Sequence, residues 1–256
     1  GGRAFVDGLD LRTETDRIRR RIGLVFQEST ADDQLTGREN LELAAAIYDV
    51  PPAEARTRMA RLLEEMSLTQ VQDRLVKTYS GGMRRRLELA AGVIHTPKVL
   101  FLDEPTLGLD PQGRAGIGQV VRKMRDDFGV TVFLTTHYLD EAEELADRVA
   151  IMNHGRIVAM GTTEEIESRF GSGRRMVVKG GEDLLKYLRE NTRLRVEGDG
   201  DEVVIFLRDK ADAMAALGAI EESGADWGDL TVKGDSLEDV FLKLVGESGT
   251  IEKGAE

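Results

Sequence analysis

Val99-Leu100-Phe101-Leu102-Asp103-Glu104-Pro105 decides the reading of this chain. Val99–Leu102 is short and wholly apolar, and reads as a strand buried on both faces of a parallel sheet. The strand ends in two adjacent carboxylates. In open α/β sheets ligands bind in the crevice beyond the carboxyl ends of the strands. Two acids there have separate physical jobs: one can hold Mg²⁺, usually through water, and its neighbour can orient or deprotonate an attacking water. An ordinary solvated turn of Asp, Glu and Pro accounts for the same residues without any chemistry.

Outward from that strand, helices and strands alternate. Ala4–Val6, Ile22–Phe26 and Val130–Thr135 read as strands, and Leu35–Tyr48, Ala53–Met66, Gly82–Ile94, Pro111–Arg125 and Leu139–Ala146 as helices. Val149–Met152 and Arg156–Met160 form a hairpin around Asn153-His154-Gly155. This is an α/β pattern with a mainly parallel sheet. Gly171-Ser172-Gly173 reads as a linker. Beyond it, Arg174–Lys179, Asp183–Glu190, Leu194–Glu197, Glu202–Leu207, Lys210–Glu222 and Trp227–Val232 follow the order strand, helix, strand, strand, helix, strand, a βαββαβ unit. A last helix starts at Ser236, with Asp239 completing its cap and Leu237, Val240, Phe241 and Leu244 on one face. The expected organisation is a first domain over 1–170, with a helical part at about 30–95, a small α+β domain over 174–246, and a tail over 247–256.

Composition removes several function classes. The 256 residues carry 35 Lys+Arg against 47 Asp+Glu, a net charge of −12, so sequence-independent nucleic-acid binding is disfavoured. The basic run Arg17-Ile18-Arg19-Arg20-Arg21 reads as a solvated face. With no Cys and 3 His, thiolate and His-cluster metal sites are excluded or improbable. No apolar run approaches the roughly 20 residues of a spanning helix.

Three further segments carry possible chemistry. In Tyr79-Ser80-Gly81-Gly82-Met83, Ser80 stands at a helix N-cap, and the glycines let backbone N–H groups approach an anion. Thr135-Thr136-His137 follows the apolar strand Thr131–Leu134, where a His can donate to a phosphoryl oxygen. Gln27 directly follows Ile22–Phe26. Taken singly, each is an ordinary loop residue.

Taken together, Phe26-Gln27, Ser80-Gly81-Gly82, Leu102-Asp103-Glu104-Pro105, Gly108-Leu109-Asp110 and His137 resemble, in order and spacing, the ATP-binding-cassette (ABC) ATPases over residues 1–170. The resemblance implies a P-loop NTPase-type fold with a helical subdomain, acting on ATP with Mg²⁺. It implies that Gln27 is the Q-loop residue touching Mg²⁺ and the attacking water, and that Ser80, Gly81 and Gly82 form the signature loop. It further implies that Asp103 closes Walker B on the metal, Glu104 is the catalytic carboxylate, Asp110 is the D-loop aspartate and His137 is the switch histidine. The signature reads Tyr-Ser-Gly-Gly-Met where the family's usual form is Leu-Ser-Gly-Gly-Gln. That variant, the capping box in Leu35-Thr36-Gly37-Arg38-Glu39-Asn40-Leu41 and the tail Asp235-Ser236-Leu237-Glu238-Asp239-Val240-Phe241 look like the daunorubicin-resistance branch of exporter ATPases. Implied partners are a second ATPase subunit paired head to tail and a separate membrane permease, at the cytoplasmic face of the plasma membrane, with no nucleic acid.

The phosphate loop G-x-x-x-x-G-K-[ST] is absent, since no Gly in the chain is followed by Lys. In the family it lies upstream of the Q-loop, so the chain resembles a member lacking its first few dozen residues. Such a chain is expected to be inactive alone and less stable than its parent. Two alternatives are a non-catalytic interaction module derived from a cassette, and a non-transport cassette ATPase. The second is disfavoured because Gln27 and Ser80 are too close for an inserted coiled coil and only one signature is present.

Overall fold

The computed structural model describes residues 2–171, 173–199 and 201–246. Gly1, the linker residue Ser172 and the expected tail 247–256 lie outside them. The chain divides into two compact units, Gly1–Leu145 and Ala146–Glu256.

The first unit opens with β1 (Phe5–Val6) and β2 (Leu9–Asp10), an antiparallel hairpin. Asp7 and Gly8 make its turn, both at positive φ (49° and 75°), which is why an Asp-Gly pair sits there. The basic run falls in and after α1 (Thr15–Arg19). Its only apolar member, Ile18, is buried, while Arg17, Arg19, Arg20 and Arg21 pair with Glu14, Asp16, Asp49 and Asp7. Next come β3 (Ile22–Val25), α2 (Gly37–Ile47), α3 (Pro52–Glu65) and α4 (Gly81–Val93). α2 starts where the sequence requires, at the reciprocal Thr36–Glu39 capping box. β4 (Val99–Asp103), α5 (Pro111–Asp126), β5 (Thr131–Thr135) and α6 (Leu139–Leu145) complete the unit.

β3, β4 and β5 form a parallel sheet in that order, with Leu24, Phe101 and Phe133 level with one another. Leu100 and Leu102 point into a core shared with Leu41, Leu63, Leu89, Ile117 and Met124. Each such side chain contributes roughly 1.5–3 kcal/mol on burial. α4 lies close enough to β3 that a side chain on Gly23 would strike the carbonyl of Gly92. The expectation of a strand buried on both faces holds for one face only. On the other, Leu24 is 42% and Phe133 59% exposed. Alternation of side chains puts these residues opposite Leu100 and Leu102, outside the core.

The second unit contains β6 (Val149–Asn153) and β7 (Arg156–Gly161), the expected hairpin, then α7 (Thr163–Phe170), β8 (Arg174–Lys179), α8 (Gly181–Asn191), β9 (Arg195–Asp199), β10 (Glu202–Leu207), α9 (Lys210–Glu222), β11 (Leu230–Gly234) and α10 (Leu237–Gly246). The antiparallel sheet runs β11-β8-β10-β9, which places the first and third strands of the βαββαβ unit side by side. Met176, Val178, Ile205, Leu184 and Ile220 fill its core. Ser236 and Asp239 cap α10 reciprocally, at 2.9 and 3.2 Å. The division falls ahead of the expected boundary at 170–174. α7, which the sequence reading did not predict, packs against α10, buries Ile166, and accepts at the Phe170 carbonyl a hydrogen bond from Lys243 Nζ (3.0 Å).

Candidate functional site

β4 and β5 end level, so Asp103 faces Thr135. Thr135 Oγ1 donates to Asp103 Oδ1 at 2.6 Å, and the Glu104 N–H donates to the Thr135 carbonyl at 3.1 Å. Glu104 has φ 47°, a left-handed conformation that costs a residue with a Cβ about 1–3 kcal/mol and persists where its surroundings fix it. His137 Nδ1 lies 2.5 Å from Glu104 Oε2. A carboxylate only accepts, so Nδ1 carries the proton and Nε2 is left as the imidazole's outward functional atom. The imidazole, half exposed, rests on the Tyr138 ring at 4.1 Å. Carboxylate, hydroxyl and imidazole thus converge at the ends of two adjacent parallel strands.

A second group of residues forms around two helix starts. Ser80 caps α4, its Oγ accepting from the Met83 N–H at 3.3 Å. Asp110 caps α5, its Oδ1 accepting from the Gly113 N–H at 2.7 Å. Both helix starts line one open cleft of about 700 Å³, together with Gly81, Gly82, Gly108 and Leu109. A Cβ on Gly82 would meet nothing within 4 Å, so the fold itself does not call for glycine there. Two helix N-termini with free backbone N–H groups suit an anion.

Asp103, Glu104 and His137 do not line this cleft. Within one chain the candidate residues form two separate groups. Gln27 belongs to neither; it is exposed just past the end of β3.

Sequence reasoning missed the residues behind these groups. Arg85 of α4 is buried and reaches the ends of both β3 and β4. Glu88 pairs with it at 3.0 Å and accepts a hydrogen bond from Ser29 Oγ. The available signal was position: Arg85, Glu88, Leu89 and Gly92 recur at the spacing of one helix face, so two charges sit in the apolar stripe. Glu141 is also buried. Its Oε2 accepts from Thr106 Oγ1 at 3.3 Å, and Oε1 has no hydrogen-bond partner among the described residues. Burial raises its carboxyl above the ordinary range, against the opposing pull of Thr136 and Thr106.

No group of three or more His, Cys, Asp or Glu that could hold a metal occurs among the described residues. Mg²⁺ does not need one: it is commonly held by one or two carboxylates plus substrate phosphates and water, and Asp103 offers such an oxygen donor. Among the described residues, no helix is long and apolar enough to cross a membrane.

A family model described as ABC transporter matches residues 1–107. The daunorubicin/doxorubicin resistance ATP-binding protein DrrA of Streptomyces peucetius is 40% identical over 265 residues, taking in 100% of this chain and 80% of that protein. Among solved structures, cbiO1 of Clostridium perfringens, part of an ABC transporter complex, matches with a TM-score of 0.61 and 28% identity, over 66% of this chain and 69% of that one. A dimeric ATP-binding cassette in a post-hydrolysis state, bound to ADP and Pi, matches with a TM-score of 0.56 and 26% identity, over 63% and 73%.

Proposed function

This chain belongs to the ABC transporter family of ATP-binding subunits, and on that premise we propose that its residues hydrolyse ATP to drive export through a separate membrane permease. The cargo is a drug-like small molecule, a reading supported by the 40% identity to a drug-resistance protein along the whole chain. The subunit works at the cytoplasmic face of the plasma membrane, paired head to tail with a second ATPase subunit.

The observation that carries the reading is the Glu104–His137 pair beside Asp103 at the ends of β4 and β5. Asp103, with Gln27, would hold Mg²⁺, which supplies charge neutralisation on the phosphates when bound. Glu104 accepts the proton of the attacking water. His137, its Nδ1–H held by Glu104, would donate from Nε2 to a phosphoryl oxygen in the form that carries a proton on both nitrogens. Ser80, Gly81 and Gly82 of the partner subunit close the pocket with backbone N–H groups, and Asp110 fixes the helix start beside them. Separation of the two groups within one chain favours pairing of two subunits, because each supplies what the other's pocket lacks.

The test is Glu104→Gln in the natural full-length protein with its permease. ATP turnover should fall by about 10²–10⁴ with nucleotide still bound, as for loss of a general base. Near-normal phosphate release would remove Glu104 from this role. The 256 residues contain no phosphate loop, so by themselves they should show no saturable Mg-ATP binding at millimolar nucleotide. Calorimetric saturation would contradict that.

A further inference from the structure

The Arg85 side chain is 8% exposed and uses every N–H it has. Nε donates to the Pro105 carbonyl at 2.8 Å. Nη2 donates to the carbonyls of Asp103 and Glu104 at 3.0 and 3.1 Å. Nη1 donates to the Phe26 carbonyl at 2.6 Å and to Glu88 Oε2 at 3.0 Å. Three consecutive carbonyls of the Asp103-Glu104-Pro105 turn and the carbonyl just before Gln27 therefore converge on one guanidinium. That guanidinium belongs to the helix capped by Ser80. Glu88 extends the link to Ser29.

We propose that Arg85 is a positioning residue for ATP hydrolysis: it sets the left-handed Glu104 turn and the Gln27 loop against the helix that begins at Ser80. This deepens the function proposed above and rests on it. The chemistry favours arginine. A planar fork with five fixed donors can hold several carbonyls at once, whereas a lysine ammonium offers three rotatable donors from a single point. Without the fork, the three turn carbonyls lose this donor, and Glu104 is no longer held at φ 47°. Glu88 is the counter-charge that makes a buried guanidinium tolerable. Because one side chain touches all three segments, a shift of α4 moves the Glu104 turn and the Gln27 loop with it.

The experiment uses the full natural protein, in three single variants: Arg85→Lys, Glu88→Gln and Ser29→Ala. Steady-state hydrolysis is read as kcat and KM for ATP separately, at equal folded protein by circular dichroism. Arg85→Lys should lower kcat at least about tenfold, in line with the cost of a small misplacement at a reacting centre, with KM within about threefold. Glu88→Gln and Ser29→Ala should lower kcat severalfold in the same direction. The Arg85→Lys, Glu88→Gln double variant should be little worse than Arg85→Lys alone, since both act through one network. Unchanged kcat in all three variants, or a rise in KM with kcat intact, would overturn the proposal. Should Arg85→Lys not fold, the other two decide: lowered kcat with normal KM supports the positioning role, and normal kcat refutes it. Failure of the underlying ATPase reading looks different, because then the unsubstituted protein hydrolyses no ATP, or Glu104→Gln hydrolyses as fast as its parent.

Discussion

The strand-end cluster and the helix-start cleft lie in the same compact unit, yet they are built in opposite ways. At the strand ends, functional side chains engage one another: His137 with Glu104, and Thr135 with Asp103. At the helix starts, the side chains are spent locally as caps, Ser80 on Met83 and Asp110 on Gly113, and glycine backbone faces the cleft. Under the function proposed above, the first arrangement would move protons and charge and the second would recognise an anion through main-chain N–H groups. On that proposal chemistry and recognition are separately encoded, the first in side chains and the second in bare backbone.

Substitutions should therefore separate along the same line. After Glu104→Gln itself, the largest effect is expected from His137→Ala, which removes the side chain paired with Glu104: hydrolysis should drop about a hundredfold while the melting temperature stays near that of the parent. A turnover within threefold of normal would mean that the pair is decorative. In the cleft, Gly82→Ala should have a smaller effect on turnover and should move turnover and stability in opposite directions. The new Cβ has open space around it, so stability should rise by about 0.5 kcal/mol through helix propensity. Turnover should nevertheless fall about tenfold, because the backbone can no longer approach a phosphate as closely. Unimpaired hydrolysis in Gly82→Ala would erase the distinction between the two regions.

The smallest effect concerns Glu141, beneath the strand ends. Its carboxyl is raised by burial, so the folded chain holds that proton more tightly than the unfolded chain. The stability this contributes is full below the unfolded-state pKa and is lost as pH rises through the elevated folded value. Glu141→Gln should flatten that arm of the stability profile and leave the protein slightly more stable at neutral pH. Urea midpoints across acid to neutral pH check this; an unchanged profile would show that Glu141 is not the titrating group.

Much of this architecture was legible because it rests on local physical chemistry. Thr36 with Glu39, Ser80 before two glycines, and Asp110 before Pro111 announce three helix starts from residue type alone, and α2, α4 and α5 begin there. The βαββαβ order of the second unit was visible in alternating apolar runs, and its sheet order agrees. Of the β1–β2 hairpin the sequence showed the first strand, at Ala4–Val6, but not the second, although Asp7-Gly8 is a turn signal, because a two-residue strand carries too little periodicity. α7 went unread although Thr162 and Glu165 form a capping box, since only Ile166 in it is buried. Arg85 is the instructive miss. Four of its partners are main-chain carbonyls, which have no residue identity, and they lie 18 to 59 positions away in sequence. Its spacing with Glu88, Leu89 and Gly92 marks Arg85 as the inward one of three neighbouring arginines, but says nothing of what it meets there.

The most direct test of the central claim, that the two regions meet only between two subunits, is complementation between inactive variants of the full natural protein. Ser80→Arg and Glu104→Gln should each abolish hydrolysis alone. Mixed in equal amounts with different tags, they form hybrid dimers in which one pocket pairs an intact Glu104 with an intact Ser80. The account predicts that about a quarter of the unsubstituted rate returns, from half the dimers carrying one good pocket of two. No recovery, with hybrid dimers isolated through both tags, would contradict it.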